Sequence, residues 1–214
     1  MSKYKAIIFD FDNTLVDSAT PFINYTKEFL KNTPYSNYTV RQFSKEIMTP
    51  TGTSENISRE TTDKFWSGRR KMGFSGIKPY PEDRNGLEIL HKLGINMGIL
   101  SRSTREKIDN ILERNGLRKM FSAILGSAEK PDPTYLVDII NQMGVEKEEV
   151  LYVGDDAEDI ETGKEANVAT VFILRSDPHS QESYQLRKRW LEKNKPNYLI
   201  HNLMELVDIV KATK

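Results

Sequence analysis

The stretch Ala6-Ile7-Ile8-Phe9-Asp10-Phe11-Asp12-Asn13-Thr14 decides how this chain is read. Its first four residues are an uninterrupted apolar run, which predicts a strand buried on both faces. In open α/β sheets the chemistry sits on loops just past the strand ends. Asp10 and Asp12 are two residues apart, so an extended backbone puts both carboxylates on one face there. Like charges held that close repel and call for a cation. Mg²⁺, which prefers oxygen ligands, suits the site. On this reading Asp10 is a nucleophile, Asp12 shuttles a proton and the metal neutralises both. The same residues also fit an ordinary acidic turn, because Asp and Asn favour turns and helix N-caps. The rest of the chain decides between the two.

Further apolar runs follow at Ile95–Leu100, Phe121–Leu125, Val150–Val153, Val168–Leu174 and Tyr198–Ile200. Between them lie segments with apolar residues at helical spacing. One runs from about Glu82 to Leu93, with Gly94 as a stop. The next opens at Ser103-Thr104-Arg105-Glu106, which has the capping-box form, and ends at Asn115-Gly116. Another opens at Asp132 as N-cap with Pro133 at the first helical position. One more ends near Ala166, and the last is capped by Asn202. Strands alternating with helices predict an α/β protein with a parallel sheet and helices on both faces.

Two regions break the alternation. After a helix expected at about Pro21–Lys31, no buried strand is evident from Asn32 to Ile77, and one helical piece is expected there around Arg59–Met72. This reads as a small helical insertion. Its basic run Arg69-Arg70-Lys71 reads as a solvated helix face or, more sharply, as an aid to binding an anionic substrate. Residues 175–196 are polar, without a clear period, and are expected to form an extended excursion or mobile loop.

Composition narrows the function. Lys+Arg and Asp+Glu are 31 each, so the formal net charge is +0. That argues against a general nucleic-acid or membrane-surface binder, which would show a basic excess. Cys is 0, which excludes disulfides and thiolate chemistry. The first residues fit neither a signal peptide nor a membrane span, so a cytoplasmic location is expected. Oligomeric state is not legible.

Four groups fall at or just after strand ends: Asp10 and Asp12, Ser101, Lys130, and Asp155 with Asp156 and Asp159. In a parallel sheet those ends share one edge, so residues distant in sequence converge. Carboxylates hold Mg²⁺, while a hydroxyl and an ammonium grip a phosphoryl group. Phosphoryl transfer needs mainly positioning and charge neutralisation. Taken singly, Ser101 also fits an N-cap, Lys130 a surface lysine, and Glu158 a favourable charge at a helix N-terminus.

Taken in order, these residues resemble the haloacid dehalogenase-like hydrolase superfamily. Asp10-Phe11-Asp12-Asn13-Thr14 matches its first motif and Ser101 its second. Lys130 in Lys130-Pro131-Asp132-Pro133 matches the third, and Gly154-Asp155-Asp156-Ala157-Glu158-Asp159 the fourth. The resemblance spans about Tyr4 to Leu174. The insertion resembles the small helical cap of phosphoglycolate phosphatase-like and β-phosphoglucomutase-like members. The resemblance implies a Rossmann-like core of residues 1–17 and 80–214, with a cap of residues 18–79 that closes over substrate.

It further implies Mg²⁺-dependent hydrolysis of a small phosphate monoester. Asp10 would form an aspartyl-phosphate, and Asp12 would protonate the leaving oxygen and then activate water. The metal would be held by Asp10, the backbone carbonyl of Asp12, and Asp155, with Asp156 or Asp159 assisting through water. Phe11, Ser101, Arg102 and Lys130 would bind the phosphoryl group, and Thr14 would order the loop. Asp12 favours phosphate over haloacid chemistry, because an alkoxide leaving group needs a proton. Asn167 stands where relatives usually have Gly. A phosphomutase and a non-catalytic phosphate- or Mg²⁺-binding module are the rival readings. Cap residues would choose the substrate, with Arg59, Lys64, Arg69 and Arg70 as candidates.

Overall fold

The computed structural model describes residues 2–48, 54–175 and 181–213. The chain divides into two compact units, one of Met1–Asp17 with Lys78–Lys214 and one of Ser18–Ile77.

The larger unit is built on a six-stranded sheet whose paired strands all run parallel. β1 (Ala6–Phe9) lies in the middle, between β4 (Asn96–Leu100) and β6 (Val150–Gly154). β5 (Ala123–Leu125) flanks β4, and β7 (Ala169–Ile173) and β8 (Tyr198–Ile200) extend the other side. Every residue of β1 is fully buried, which explains its unbroken apolar run. Ile8 pairs with Gly98 on one side and Tyr152 on the other. That register brings the residues just past β1, β4 and β6 to one edge.

The helices of this unit are α4 (Arg84–Lys92), α5 (Arg105–Arg114), α6 (Thr134–Met143), α7 (Ala157–Glu165), α8 (Gln181–Lys193) and α9 (Leu203–Ala212). A two-residue antiparallel ribbon, β2 (Val16–Asp17) with β3 (Lys78–Pro79), brackets the insertion. Sequence periodicity gave no hint of it, because two residues are too few to show a period. Asn167 has φ of 57° and turns the chain between α7 and β7 in the left-handed region, where Asn serves in place of Gly.

The smaller unit is helical: α1 (Ala19–Lys31), α2 (Val40–Ile47) and α3 (Arg59–Lys71). Its core is Leu30, Phe43, Ile47, Ile57 and Phe65. The Phe65 ring meets those of Tyr25, Phe29 and Phe43 at 5.0–5.2 Å. α2 is absent from the sequence reading. Only Phe43 and Ile47 of its eight residues are buried, and it starts through a capping box between Thr39 and Gln42. In the polar stretch Thr49–Ser54, residues 49–53 lie outside the described residues.

The expectation of an extended excursion over residues 175–196 is overturned. Gln181–Lys193 is helical, and 176–180 lie outside the described residues. Only a narrow stripe of α8 packs inward: Leu191, Tyr184 and Trp190 meet Ile160, Phe172 and Leu174. Between Tyr184 and Trp190 lie Gln185, an exposed Leu186 and the cations Arg187, Lys188 and Arg189, which mask the helical period. Two expected caps shift by one residue. Thr104, not Ser103, caps α5 and accepts from the Lys107 amide. Pro133 takes the N-cap position of α6, while the Asp132 carboxylate accepts from the Thr134 amide at 2.9 Å. Among the described residues no helix is long and apolar enough to cross a membrane.

Candidate active site

The site lies in the larger unit, at the carboxyl edge of its sheet. Asp10 follows β1 directly, with its amide donating to the Val153 carbonyl at 2.8 Å. Asn13, at φ 60°, reverses the chain after Asp12. The Phe11 carbonyl then accepts from the amides of Leu15 and Val16 at 3.0 and 3.2 Å. The Phe9 and Phe11 side chains are fully buried and anchor the strand end, with Asp10 between them 8% exposed.

Asp155 follows β6, and Asp159 reaches back from the first turn of α7. A Cβ on Gly154 would fall 2.3 Å from the Asp159 carboxyl carbon, so only glycine allows that return. Asp159 Oδ2 accepts from the Asp156 amide at 3.2 Å, half of a reciprocal capping box with Asp156. Its Oδ1 accepts from Lys130 Nζ at 2.7 Å and from the Tyr152 hydroxyl at 2.9 Å. Lys130 Nζ donates also to Asp10 Oδ1 at 2.6 Å, and its side chain is 4% exposed. Lys130 thus bridges two buried carboxylates. Thr14 Oγ1 donates to Asp155 Oδ1 at 3.2 Å, and Arg187 of α8 pairs with Asp155 Oδ2 at 3.2 Å.

Oxygens of Asp10, Asp155 and Asp159 lie within 4.8 Å of one another, and all three residues are buried. One ammonium and one part-exposed guanidinium do not balance three such carboxylates. Burial first, then Asp159, push Asp10 up to about 7 against the pull of Lys130. Burial likewise raises Asp155 well above the ordinary carboxylate range, with Arg187 opposing. Burial pulls Lys130 down, but Asp10 and Asp159 outweigh it and keep the ammonium charged. Burial also raises Tyr152, so its hydroxyl stays a donor. A cluster of buried oxygens with surplus negative charge fits a hard divalent cation.

Asp12 turns elsewhere. Its two carboxylate oxygens take Lys107 Nζ at 2.7 and 3.0 Å, and the Ser103 hydroxyl donates to it as well. Lys107 Nζ also reaches Ser103 Oγ at 2.8 Å. Sequence reasoning missed both partners. A signal existed: Lys107 sits in the first turn of α5, where a cation opposes the helix dipole. Ser103 is called away from the capping role that its spacing suggested.

Ser101 is buried and accepts from the Ser103 amide at 3.1 Å. Arg102 donates to the Lys130 carbonyl at 2.7 Å and pairs with Glu158. Glu158 therefore does more than favour its helix end. Asp156 is exposed, and its carboxylate accepts from the Ala157 amide at 2.6 Å, a capping contact. Asp10, Asp12, Ser101, Arg102, Lys130 and Asp155 are among the residues lining one cavity of about 260 Å³.

Behind the site, buried Arg175 pairs with buried Asp83 and donates to the Thr14 carbonyl at 2.6 Å. Its guanidinium lies 4.1 Å from the Tyr80 ring centre, and Asp83 Oδ1 accepts from the Leu203 amide at 2.9 Å. This ties the loop after β1 to the end of β7 and the start of α9. In the smaller unit, Arg59 and Lys64 lie on the exposed side of α3 and pair with Asp63 and Glu60 at 4.0 and 2.6 Å. Arg69 donates to the Gly73 carbonyl, and Arg70 is exposed. Those pairings favour the solvated-face reading of the basic residues.

With this geometry in hand, known proteins give a consistent comparison. The haloacid dehalogenase-like hydrolase family profile matches residues 7–173. A phosphoglycolate phosphatase of Aquifex aeolicus is 31% identical, covering 79% of this chain and 84% of its own. Pyrophosphatase PpaX of Oceanobacillus iheyensis is 27% identical over 96% of both chains. The solved structure of a haloacid dehalogenase-like family hydrolase from Streptococcus pneumoniae superposes with a TM-score of 0.72 at 17% identity. It covers 97% of this chain and 99% of that one, and shows likeness of fold alone.

Proposed function

The chain belongs to the haloacid dehalogenase-like hydrolase family, and we propose that it is a Mg²⁺-dependent phosphatase that cleaves a small phosphate monoester through an aspartyl-phosphate on Asp10. The observation that carries this reading is the buried set of Asp10, Asp155 and Asp159, with Lys130 bonded to two of them. The names of relatives, phosphoglycolate phosphatase and pyrophosphatase, support a small phosphorylated substrate.

In this reading an Asp10 carboxylate oxygen attacks phosphorus, and the bond from phosphorus to the substrate oxygen breaks. Asp12 gives that oxygen a proton, then takes one from the water that attacks the aspartyl-phosphate. Lys107 and Ser103 position the Asp12 carboxylate. Ser101, Arg102 and Lys130 bind the phosphoryl oxygens, and Lys130 offsets charge at Asp10. Asp10, Asp155 and Asp159, with the Asp12 carbonyl, would hold Mg²⁺. When bound, that ion supplies charge neutralisation at the phosphoryl group. Thr14 steadies Asp155 through its hydroxyl. The helical insert Ser18–Ile77 is proposed as a cap that selects the substrate.

The test is phosphate release from a panel of small phosphate esters, with Mg²⁺ or with chelator, for the natural protein and Asp10→Asn. Metal-dependent release that vanishes in the variant is the expected result. Release that survives Asp10→Asn would refute the nucleophile. Isomerised sugar phosphate without free phosphate would point to a mutase instead.

A further inference from the structure

Three cationic side chains among the described residues line the cavity: Arg102, Lys130 and Arg187. Their partners differ in kind. Arg102 pairs with Glu158, which stands outside the buried carboxylate set. Lys130 sits between two members of that set, with its side chain 4% exposed. Arg187 is 37% exposed, and it pairs with Asp155, whose side chain is 6% exposed. The guanidinium therefore stands at the mouth of the cavity and reaches inward to a single oxygen-bearing group that a divalent cation would claim.

A cation and a guanidinium compete for Asp155. The dication wins on charge, because a hard ion prefers carboxylate oxygen and carries twice the charge. Arg187 then loses its partner while it still faces the cavity. Five donors in a planar fork suit a carboxylate or phosphate. The phosphoryl group is already served by Ser101, Arg102 and Lys130. What remains for Arg187 is a group on the part of the substrate that leaves.

We propose that Arg187 is a specificity-determining residue that yields Asp155 to the metal and then binds a second anionic group of the substrate. The favoured substrate is thus a phosphate ester whose leaving portion itself carries a carboxylate or phosphate. This inference rests on the phosphatase reading above.

Two measurements test it, and neither needs turnover. First, Mg²⁺ is titrated calorimetrically into the substrate-free natural protein and into Arg187→Gln. The variant should bind Mg²⁺ more tightly, by about tenfold, because no guanidinium competes for Asp155. Unchanged affinity overturns the proposal. Second, phosphoglycolate, ethylene glycol bisphosphate and ethyl phosphate are titrated into Asp10→Asn and into Asp10→Asn with Arg187→Gln, both in Mg²⁺. Losing Arg187 should weaken the doubly anionic ligands by about tenfold to a hundredfold and ethyl phosphate by less than about threefold. Whichever of the two doubly anionic ligands loses more identifies the group that Arg187 reads. Equal losses for all three ligands overturn the proposal. Arg187→Lys, which keeps the charge but not the fork, should recover part of the discrimination, and melting temperatures establish that each variant is folded. If natural protein with Mg²⁺ releases no phosphate from any ester, the phosphatase reading fails on its own assay. If it releases phosphate while Arg187→Gln discriminates as the natural protein does, only the present inference fails.

Discussion

Stripping the metal should make this protein acid-stable and alkali-weak over a defined window. Asp10 ordinarily ionises near 3.8 and is pushed up to about 7 in the fold by burial and by Asp159. A carboxyl whose folded pKa is raised binds its proton more tightly in the native state than in the unfolded one. It stabilises the fold fully below about pH 4, and that contribution drains away as pH climbs to about 7. From 3.8 to about 7, at about 1.4 kcal/mol per pH unit, the ceiling is about 4 kcal/mol. Asp155 shifts in the same direction and adds to it. In a chain of this size 1 kcal/mol moves the melting temperature by about 2–4 °C, so the metal-free Tm should fall by on the order of 10 °C between about pH 5 and about pH 8. Mg²⁺ binds the ionised carboxylates, so its stabilising effect should be small at about pH 5 and large at about pH 8. Scanning calorimetry in chelator and in Mg²⁺ reads both effects. Asp10→Asn is the control, since it removes the Asp10 carboxyl and with it both its own share of the fall and its push on Asp155. A metal-free Tm that falls no further in the natural protein than in Asp10→Asn would refute the burial argument.

Three other outcomes are expected. Lys107→Met removes the ammonium that holds Asp12 and should lower kcat by about tenfold to a hundredfold with KM nearly unchanged; steady-state kinetics with an unchanged kcat would sink the positioning role. Gly154→Ala drives a Cβ to within 2.3 Å of the Asp159 carboxyl; it should cost about 1–3 kcal/mol and weaken Mg²⁺ binding, seen by melting and calorimetric titration, and unaltered Mg²⁺ affinity would contradict the close approach. Arg175→Met leaves buried Asp83 without its cation and should cost about 3–5 kcal/mol in denaturant unfolding; a loss under about 1 kcal/mol would count against it.

The sheet was legible because each of its inner strands is buried on both faces and reads as a continuous apolar run, as Ala6–Phe9 and Val150–Val153 do. Convergence of Asp10, Ser101, Lys130 and Asp155 followed from parallel topology alone. What stayed hidden has one physical cause, namely that contacts across the fold outweigh local pattern. α8 carries too few inward residues, Tyr184, Trp190 and Leu191, to print a period on the sequence. α2 has only Phe43 and Ile47. Ser103 fits a capping box by spacing, but Asp12, 91 residues away in sequence, recruits its hydroxyl instead. Lys107 and Arg187 stand on helices whose other charged residues look no different, and only their carboxylate partners single them out.

The β2–β3 ribbon gives the molecule a seam. Val16 pairs with Pro79 and Asp17 with Lys78, so the chain leaves for the helical insert and returns from it at adjacent points. The insert spans Ser18–Ile77, and every strand of the six-stranded sheet lies outside it. Whatever closes that excursion, whether a tight turn, three helices or something larger, meets the same two anchors and leaves the register of β1 alone. Recombination at this seam can therefore trade one insert for another while the carboxylates past β1 and β6 keep their places. The fold separates the part of the enzyme that must not change from the part that can.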